Sequence, residues 1–401
     1  MPGQATREPP ATTLRQGVEA RPRWRQIGFV SVVLPCLNEE AAVGETVAEA
    51  LRGLARAGVA GEVLVVDNGS TDHSVERAEA AGARVVPETA RGYGAAHLAG
   101  LRAARGDVVV MADADQTYDL EGLARLLGPL ADGADLVVGS RLQGAIGRGA
   151  MPPLHQYVGT PVLTRALRVL TGTRLSDSQS GYRAFWRETA LGLGLKASGM
   201  EYASEMLLKA GRAGLEVREV PTDYRVRVGE SKLSPFSDGW RHLQMLLLLS
   251  PHLSLIGPGL VGMAVGLVLC ALSLLAPAGI AVAGLRWPPV FIGPMSLILG
   301  AQAAFLGSIA AHRSSLTPPK LRRRLAFLDR PDAVNRLLGR FLLVALVGIA
   351  LDLALLVFWL IDLSSDSLVG LAGLAQALIV IGGSGIATVF AADFSKESLG
   401  W

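Results

Sequence analysis

Asp107-Val108-Val109-Val110-Met111-Ala112-Asp113-Ala114-Asp115-Gln116-Thr117-Tyr118 is the stretch that decides the fold. Its run of apolar, mostly β-branched residues predicts a strand buried in a parallel sheet. Two aspartates, one residue apart, follow where this strand ends. Ligands of open α/β sheets bind at the carboxyl ends of the strands, so we expect Asp113 and Asp115 to lie at the active site.

The segments on either side alternate strand and helix patterns. Besides the strand that precedes Asp113, apolar runs predict strands at 30–35, 62–66, 84–87 and 135–139. Helical spacing follows the first strand as far as Arg56, and Ser70 or Thr71 is the expected N-cap of the next helix, which runs to about Ala81. This alternation predicts the α/β class, with a parallel sheet covered by helices on both faces.

Two common nucleotide-binding motifs are missing from the sequence. Gly92 and Gly94 do not form a G-x-G-x-x-G motif, since Ala95-Ala96-His97 follows them, and no glycine marks the turn after the first strand. The P-loop pattern is also absent from the sequence. A Rossmann dehydrogenase and a P-loop ATPase are therefore excluded.

The composition predicts a membrane protein with a soluble first half. The chain has 401 residues, of which 18% are charged, and its mean hydropathy is +0.37. Four apolar stretches, at 253–276, 288–311, 339–362 and 367–392, are each close to the roughly 20 residues that cross a bilayer. The formal net charge of +3 gives no reason to expect a nucleic-acid partner.

The distribution of charge predicts the orientation in the membrane. The connection between the second and third stretches is basic and contains Arg313, Lys320, Arg322, Arg323, Arg324, Arg330, Arg336 and Arg340. By the positive-inside rule this connection is cytoplasmic, and with four spans both termini are cytoplasmic too. We therefore expect a multi-pass protein of the cell membrane whose catalytic domain faces the cytoplasm.

Three further features complete the expected domain organisation. Residues 1–26 mix prolines and arginines without an apolar core, which predicts a disordered basic tail. Residues 236–252 have the composition of an amphipathic helix at the membrane interface, with Trp240 at headgroup depth. Cys36 and Cys270 fall in unlike surroundings, so no disulfide is expected.

The motifs taken together resemble the family 2 glycosyltransferases of the GT-A fold. Within that family the chain looks like the dolichol-phosphate mannose synthase group, which makes polyprenyl-phosphate sugars. The resemblance covers residues 30 to about 250 and rests on Pro35-Cys36-Leu37-Asn38-Glu39-Glu40, Asp67-Asn68-Gly69-Ser70-Thr71-Asp72, Arg91-Gly92-Tyr93-Gly94, Asp113-Ala114-Asp115, Gly139-Ser140-Arg141, Asp177-Ser178-Gln179-Ser180-Gly181-Tyr182-Arg183-Ala184-Phe185, Met200-Glu201-Tyr202-Ala203-Ser204-Glu205 and Arg227-Val228-Gly229-Glu230-Ser231-Lys232-Leu233-Ser234. It implies a GT-A (Rossmann-like) nucleotide-sugar domain at 27–235. The composition predicts that the interfacial helix at 236–252 and a four-helix transmembrane domain at 253–401 follow it.

The resemblance also implies roles for individual residues. Those expected to bind the nucleotide are Pro35, Leu37, Glu39, Asp67, Asn68, Arg91 and Asp113. Asp113, Asp115 and Gln116 are the expected ligands of Mg²⁺ or Mn²⁺, which prefer carboxylate, phosphate and water oxygens. The acceptor phosphate is expected to meet Arg141, Arg227, Ser231 and Lys232, and the catalytic residues are Asp115, Arg141, Arg227 and Lys232.

The sequence departs from the family pattern at three positions. Asn68 stands where a second aspartate is usual, Thr117 stands where the mannose synthases have a metal-ligating glutamine, and Gln156 replaces a common arginine. Arg148 or Arg165 are the candidates to compensate for Gln156. The neighbouring His155 is expected in a loop or at the start of a helix and not as a general base, because a phosphate nucleophile is already ionised at neutral pH.

The expected reaction transfers a hexose, with inversion, from a nucleotide sugar to polyprenyl or dolichyl phosphate. Both GDP-mannose and UDP-glucose remain open as donors. One alternative is a processive polysaccharide synthase, although the sequence lacks the Q-x-x-R-W motif of such enzymes. The other is a non-catalytic membrane scaffold or flippase partner, against which the intact aspartate pair argues. Small residues in the apolar stretches allow a homo-oligomer without requiring one.

Overall fold

A computed structural model describes residues 26–229, 235–276, 280–282, 285–287, 290–314, 317–330, 332–361 and 368–397. Nearly all of the expected basic tail, together with Ser231 and Lys232, lies outside the described residues. The chain divides into two compact units between Leu246 and Leu247. The expected division into a tail, a catalytic domain, an interfacial helix and a transmembrane domain remains a prediction.

The first unit is built of strands and helices that alternate along most of its length. In chain order they are β1 (Phe29–Cys36), α1 (Val43–Ala57), β2 (Ala60–Asp67), α2 (Ser74–Ala80), β3 (Arg84–Pro87), α3 (Tyr93–Ala103), β4 (Val108–Met111), α4 (Ala124–Ala131), β5 (Leu136–Ser140), α5 (Thr160–Thr171), β6 (Arg183–Trp186), α6 (Arg187–Gly192), α7 (Tyr202–Ala213), β7 (Val217–Pro221) and α8 (Pro235–Leu248). A 3₁₀ turn (Leu120–Gly122) precedes α4, and a π-helical turn (His155–Gly159) leads directly into α5.

The strands form one mixed sheet in the order β3-β2-β1-β4-β6-β5-β7. The α/β class is therefore confirmed, but the expected all-parallel sheet is wrong, because β6 runs antiparallel to both of its neighbours. The sequence predicted no strand at β6, which is only four residues long and begins at Arg183. The buried Arg183 guanidinium donates to the carbonyl oxygens of Ser178, Ser180 and Ala203 at 2.6–2.9 Å, which satisfies the charged group inside the fold.

Alternate residues of the central strands face two separate apolar clusters. Val32 and Leu34 of β1 belong to a cluster that also contains residues of α1 and α4. Val33 belongs to the opposite cluster, together with residues of α3 and α7. Because side chains of a strand alternate between faces, this burial means that helices cover both sides of the sheet, as the sequence predicted.

The loops after β1 and β2 are joined by hydrogen bonds. Asn38, with φ near 52°, donates its N–H to the Ser70 hydroxyl at 2.9 Å, and its side-chain oxygen accepts the N–H of Thr71 at 2.7 Å. The expected N-cap at Ser70 or Thr71 is thus wrong, since α2 begins at Ser74. The two residues instead hold the first two strand-end loops together at one edge of the sheet.

The second unit contains the four helices that the sequence predicted as spans. They are His252–Leu275, Ile292–Arg313, Ala333–Leu360 and Val369–Asp393, each long and apolar enough to cross a membrane. In the numbering used here, a π-helical turn (His252–Ile256) and α9 (Gly257–Leu275) form the first, α10 (Ile292–Arg313) the second, α12 (Ala333–Leu360) the third and α13 (Val369–Glu397) the fourth. The short helix α11 (Pro319–Leu325) lies in the basic connection, and strands β8 (Ile280–Val282) and β9 (Leu285–Trp287) form a hairpin between α9 and α10.

Candidate active site

Two carboxylates stand just beyond the end of β4. Tyr93, the first residue of α3, donates its hydroxyl to Asp113 Oδ1 at 3.1 Å. Gly181 closes the site from the other side, where an added Cβ would lie 2.8 Å from the Tyr93 hydroxyl and 3.2 Å from Asp113 Oδ2. A side chain at position 181 would have to shift the Tyr93 hydroxyl and the Asp113 carboxylate, so glycine permits this close approach.

Asp115 is held by the residue two positions after it. Its Oδ1 accepts the Thr117 hydroxyl at 2.6 Å and the Thr117 N–H at 3.1 Å. The intervening Gln116 has φ near 63°, a left-handed conformation that is unusual for a residue other than glycine, and its side-chain amide lies 3.4 Å from the Ala42 carbonyl oxygen. This tight turn fixes the direction of the Asp115 carboxylate.

Burial and mutual repulsion act on the carboxylate pair. Burial, and after it the negative charge of Asp115, raise the pKa of Asp113 to about 7. The Tyr93 hydroxyl and the charges of Arg141 and Arg227 act in the opposite direction but do not outweigh these effects. A divalent cation placed between the two carboxylates would relieve the repulsion that raises this pKa.

Arg227 links the carboxylates to the loop after β1. Its guanidinium donates to Glu39 and lies 3.3 Å from Asp115 Oδ2. Two backbone bonds fix this segment to the aspartate loop: the N–H of Arg225 donates to Thr117 O at 2.8 Å, and that of Val228 donates to Asp115 O at 3.1 Å. The described segment ends at Gly229, directly before the part of the chain that contains Ser231 and Lys232.

Arg141 is engaged in a buried ion pair. It donates to both Asp177 oxygens, at 2.7 and 2.9 Å, and its guanidinium carbon lies 5.2 Å from the centre of the Tyr224 ring. Burial alone would raise the pKa of Asp177, but the charge and hydrogen bonds of Arg141 outweigh it and hold that pKa below its ordinary value. The positive charge of Arg141 also opposes the rise in the pKa of Asp113, so it acts on the carboxylate pair.

The residues expected to bind the nucleotide lie around the ends of β1 and β2. Pro35 is the penultimate residue of β1, Leu37 follows that strand, and both are partly buried. Asp67 ends β2 and accepts the N–H groups of Gly69 and Ser70 at 3.2 and 2.9 Å. These two hydrogen bonds hold the turn at the end of β2. They are made by the Asp67 carboxylate, which is also expected to contact the base.

Asn68 and Arg91 join this edge to the segment before α3. The Asn68 amide donates to the carbonyl oxygens of Glu88 and Ala90, and its oxygen accepts the N–H of Gly92, at 2.8–3.0 Å. Arg91 donates to the Asn68 carbonyl oxygen at 2.7 Å. An aspartate could not donate to the two carbonyl groups, so the asparagine at position 68 is needed for these two hydrogen bonds.

The carboxylate pair fits a divalent cation whose coordination is completed by a substrate. Among the residues that the structure describes, no group of three or more His, Cys, Asp or Glu side chains is placed to hold a metal ion. Mg²⁺ and Mn²⁺ commonly bind one or two carboxylates together with substrate phosphates and water, so a complete protein cage is not needed. Asp113 and Asp115 supply two such oxygen donors at a strand end, where a phosphate can approach.

Comparison with known proteins identifies the family. The sequence profile of Glycosyl transferase family 2 matches residues 31–191. A dolichyl-phosphate hexose transferase of Haloferax volcanii is 36% identical over 214 residues, which cover 52% of this chain and 89% of that protein. The chain belongs to glycosyl transferase family 2.

Other similar proteins are matched over part of their length. The low-salt glycan biosynthesis hexosyltransferase Agl6 of Haloferax volcanii is 43% identical over 231 residues, which span 57% of this chain and only 56% of that relative. The crystal structure of glucosyl-3-phosphoglycerate synthase from Mycobacterium tuberculosis with Mn²⁺, UDP and glucosyl-3-phosphoglycerate is 30% identical, covering 55% of this chain and 79% of that one. The TM-score between the two structures is 0.45.

The candidate site combines residues that the sequence predicted with partners that it did not. Glu39, Asp115 and Arg227 are in contact as one cluster. The sequence did not predict the roles of Tyr93, Thr117, Asp177 and Tyr224, whose contacts are described above. Of these, Tyr93 carried a usable signal, since it lies in a motif that opens a helix at the carboxyl edge of the sheet.

Proposed function

We propose that this family 2 glycosyltransferase transfers a hexose from a nucleotide sugar to a polyprenyl phosphate, with inversion at the anomeric carbon. The observation that carries the proposal is the contact of Arg227 with both Glu39 and Asp115. This contact brings together Glu39 of the expected nucleotide pocket, Asp115 of the carboxylate pair and the guanidinium of Arg227, which is suited to binding phosphate. The similarity to a dolichyl-phosphate hexose transferase and the four apolar helices support a lipid acceptor.

Asp113 and Asp115 would hold Mg²⁺ or Mn²⁺ against the donor diphosphate, and Gln116 is the expected third protein ligand. When bound, the cation stabilises negative charge on the departing nucleoside diphosphate. Tyr93 and Thr117 keep the two carboxylates in position through their hydroxyl groups. Pro35, Leu37, Glu39 and Asp67 would bind the base, while Asn68 and Arg91 shape the edge of its pocket.

The acceptor would be bound by cations. A polyprenyl phosphate presents a dianionic headgroup, since the second pKa of a phosphate monoester is about 6. Arg227, Ser231 and Lys232 would bind its oxygens, with Arg141 adding positive charge from its ion pair with Asp177. The role of these residues is to place one phosphate oxygen behind the anomeric carbon.

The reaction then needs no proton transfer. A new bond forms between the acceptor phosphate oxygen and the anomeric carbon, and the bond from that carbon to the diphosphate oxygen breaks. The acceptor loses one negative charge and the leaving nucleoside diphosphate gains one, so charge balances without a general base. Attack opposite the leaving group inverts the anomeric carbon.

The same proposal includes the arrangement in the membrane. The four candidate spans would make the protein multi-pass, and the basic connection between α10 and α12 would face the cytoplasm. The catalytic unit would then be on the side of the membrane where nucleotide sugars are found. A homo-oligomer stays a prediction.

A reconstitution assay tests the proposed function. Purified protein in lipid nanodiscs would be incubated with polyprenyl phosphate, Mn²⁺ or Mg²⁺, and a panel of GDP- and UDP-hexoses, and the lipid fraction analysed by mass. We expect a product heavier than the acceptor by one hexose, made from one or a few of the donors. A polymer would favour the processive synthase, and no turnover with any donor would favour the scaffold.

A further inference from the structure

Exposed apolar side chains in the catalytic unit are concentrated on one helical segment. Within residues 26–229, seven large hydrophobic side chains are strongly exposed, and five of them lie between positions 154 and 169. These five, which we call the α5 face, are Leu154, Tyr157, Val158, Val162 and Val169, and they are 50–72% exposed. The other two, Leu191 and Val226, are isolated. Scattered exposed apolar residues are ordinary, whereas a contiguous set marks a binding surface.

The α5 face has the geometry of an amphipathic helix. Leu154, Val158 and Val162 recur every four residues along the π-helical turn and the start of α5, so they share one side. The inward side carries Thr164 and Leu167, which are buried against the rest of the catalytic unit. The segment is therefore a fixed part of the domain that presents its apolar side outward.

Positive charge accompanies the α5 face. Residues 142–176 contain no aspartate or glutamate, but they contain Arg148, Arg165, Arg168 and Arg174, all of which are exposed. Arginines beside exposed valine and tyrosine side chains form the composition of a helix that lies in the headgroup region of a membrane, because the arginines bind lipid phosphates while the apolar side enters the acyl boundary. An anionic lipid surface supplies both interactions.

The inward side of α5 is connected to helix α8 by a chain of buried and partly buried hydrogen bonds. Thr164 of α5 bonds to Ser178 at 2.9 Å, and the Gln179 amide donates to Ser178 at 2.9 Å and to Ser204 of α7 at 3.0 Å. Ser204 bonds to His242 of α8 at 2.9 Å. The opposite side of α8 exposes Trp240 and Leu243.

This chain connects the α5 face with the active site. Ser178 and Gln179 lie between Asp177, the partner of Arg141, and Gly181, where an added Cβ would lie 3.2 Å from Asp113 Oδ2. The helix that carries the α5 face is thereby held in a fixed position relative to the carboxylate pair. A surface bound by α5 would set the position of the catalytic site above it.

We propose that the α5 face is a membrane-binding surface that rests on anionic lipid, in addition to the expected interfacial helix α8. A second copy of the chain is a poorer occupant. A symmetric contact would bring the arginines of one copy against the same arginines of the other, with no acidic residue in the segment to offset them. Anionic headgroups provide the missing negative charge.

Lipid contact can be measured directly on the full chain without substrate. Single cysteines would be placed at Val158, Val162 and, as the control, exposed Glu79 of α2, with Cys36 and Cys270 replaced by alanine. Each would carry an environment-sensitive fluorophore in nanodiscs that contain doxyl-labelled lipids and phosphatidylglycerol. We expect strong lipid quenching at 158 and 162 and none at 79. Quenching at 162 as weak as at 79 would overturn the proposal. A fluorophore at 162 whose shielding from water depends on protein concentration and not on lipid would overturn it as well.

A charge variant tests the choice of lipid. Replacing phosphatidylglycerol by phosphatidylcholine should reduce the quenching at 162 in the parent protein. In the combined variant Arg165→Glu with Arg168→Glu, quenching should become low and no longer depend on the anionic lipid. If quenching remains equally strong in both lipids and in this variant, the anionic surface is the wrong partner.

An activity comparison tests the α5 face in a second way. Unlike the quenching measurements, it rests on the proposed function, because it needs the transfer reaction. Val158→Asp with Val162→Asp should lower transfer to polyprenyl phosphate embedded in a bilayer about tenfold, because the α5 face no longer enters the interface. Transfer to a short, water-soluble prenyl phosphate in detergent should stay within about twofold of the parent enzyme. Leu191→Asp, an exposed apolar residue outside the α5 face, is the matched control and should change neither rate. Equal losses on both acceptors would overturn the proposal, while absence of transfer by the parent enzyme would count against the proposed function and leave the quenching result valid.

Discussion

The two units place the same apolar residue types in opposite locations. In the catalytic unit, Leu34, Leu64 and Phe185 are almost completely buried between the sheet and its helices. In the second unit, which contains the four candidate spans, leucines such as Leu343 and Leu360 of α12 are more than 60% exposed. Exposed apolar side chains are what helices that cross a membrane need, and the second unit contains four candidate spans. The α5 face is the part of the catalytic unit that has the same kind of exposed surface.

The units also differ in what their interiors contain. The catalytic unit buries charged groups, including Arg141, Asp177 and Arg183, each with hydrogen-bonding partners. The described contact between α9 and α10 of the second unit instead uses a small residue, since a Cβ on Gly300 of α10 would lie 2.4 Å from the backbone nitrogen of Met263 of α9. Chemistry is therefore expected in the first unit and close helix packing in the second.

The largest expected effect is on the rate of sugar transfer. It compares the loss of an acidic residue in the candidate site with the loss of one in a candidate span. Asp115→Asn should lower sugar transfer about 10³-fold, because the cation and the diphosphate lose a charged ligand. Asp352→Asn, in the third span, should keep the rate within about threefold because this residue has no role in the proposed chemistry. The rate of lipid-sugar formation by each purified variant is the measurement. A comparable loss in both variants would mean that the membrane unit takes part in the reaction.

The next effect concerns the charged interior of the catalytic unit. Arg141→Met should destabilise the protein by about 3–5 kcal/mol, because it leaves the Asp177 carboxylate buried without its partner. Thermal unfolding followed by circular dichroism in detergent would report the loss. The double variant Arg141→Met with Asp177→Leu should recover most of the stability but not the transfer activity. Recovery of both would show that Arg141 is structural and does not act on the acceptor.

A smaller effect on stability is expected from changing the helix packing of the second unit. Gly300→Ala should destabilise the contact of α9 with α10 by about 1–3 kcal/mol, because the added methyl group has no room. Gly383→Ala on α13 is the matched control, since a Cβ there meets no atom within 4 Å. Both can be compared by denaturation in mixed micelles. If the two substitutions behave alike, close packing at Gly300 does not hold these helices together.

The smallest effect is a pH dependence at the carboxylate pair. The pKa of Asp113 is raised to about 7, so the metal-free carboxyl is largely protonated at pH 6 and ionised at pH 8. Ionisation of a carboxyl whose pKa is raised in the folded state costs stability as pH rises, and a bound cation offsets that cost. The affinity for Mn²⁺ should therefore be about tenfold lower at pH 6 than at pH 8, measured by calorimetry. Asp113→Asn should bind weakly at both values, and an unchanged affinity in the parent protein would contradict this account.

The sequence predicted features that depend on neighbouring residues along the chain. Asp113 and Asp115 follow directly from a short apolar strand, and the four spans follow from long apolar runs. The strand β6 could not be predicted in the same way, because its buried Arg183 is satisfied by carbonyl groups that only the folded chain brings to it.

The side chains that pair with the site residues could also not be predicted from the sequence. Asp177 lies 36 positions from Arg141, and Tyr93 lies 20 positions from Asp113, so packing of the whole domain decides that they meet. The exposure of the α5 face is a similar case. Valines and a tyrosine at helical spacing indicate an amphipathic helix, but only the arrangement of α5 on the domain shows which side is left outside.

The most direct test of the account is the binding of Mn²⁺ in the presence of a nucleoside diphosphate. Electron paramagnetic resonance at pH 8 would follow free Mn²⁺ as it is titrated with the purified protein and either GDP or UDP. The account predicts one bound ion per chain in the parent protein with the matching nucleotide, and little or none in Asp115→Asn. Equal binding by Asp115→Asn would contradict the claim that the two carboxylates hold the metal and the donor diphosphate.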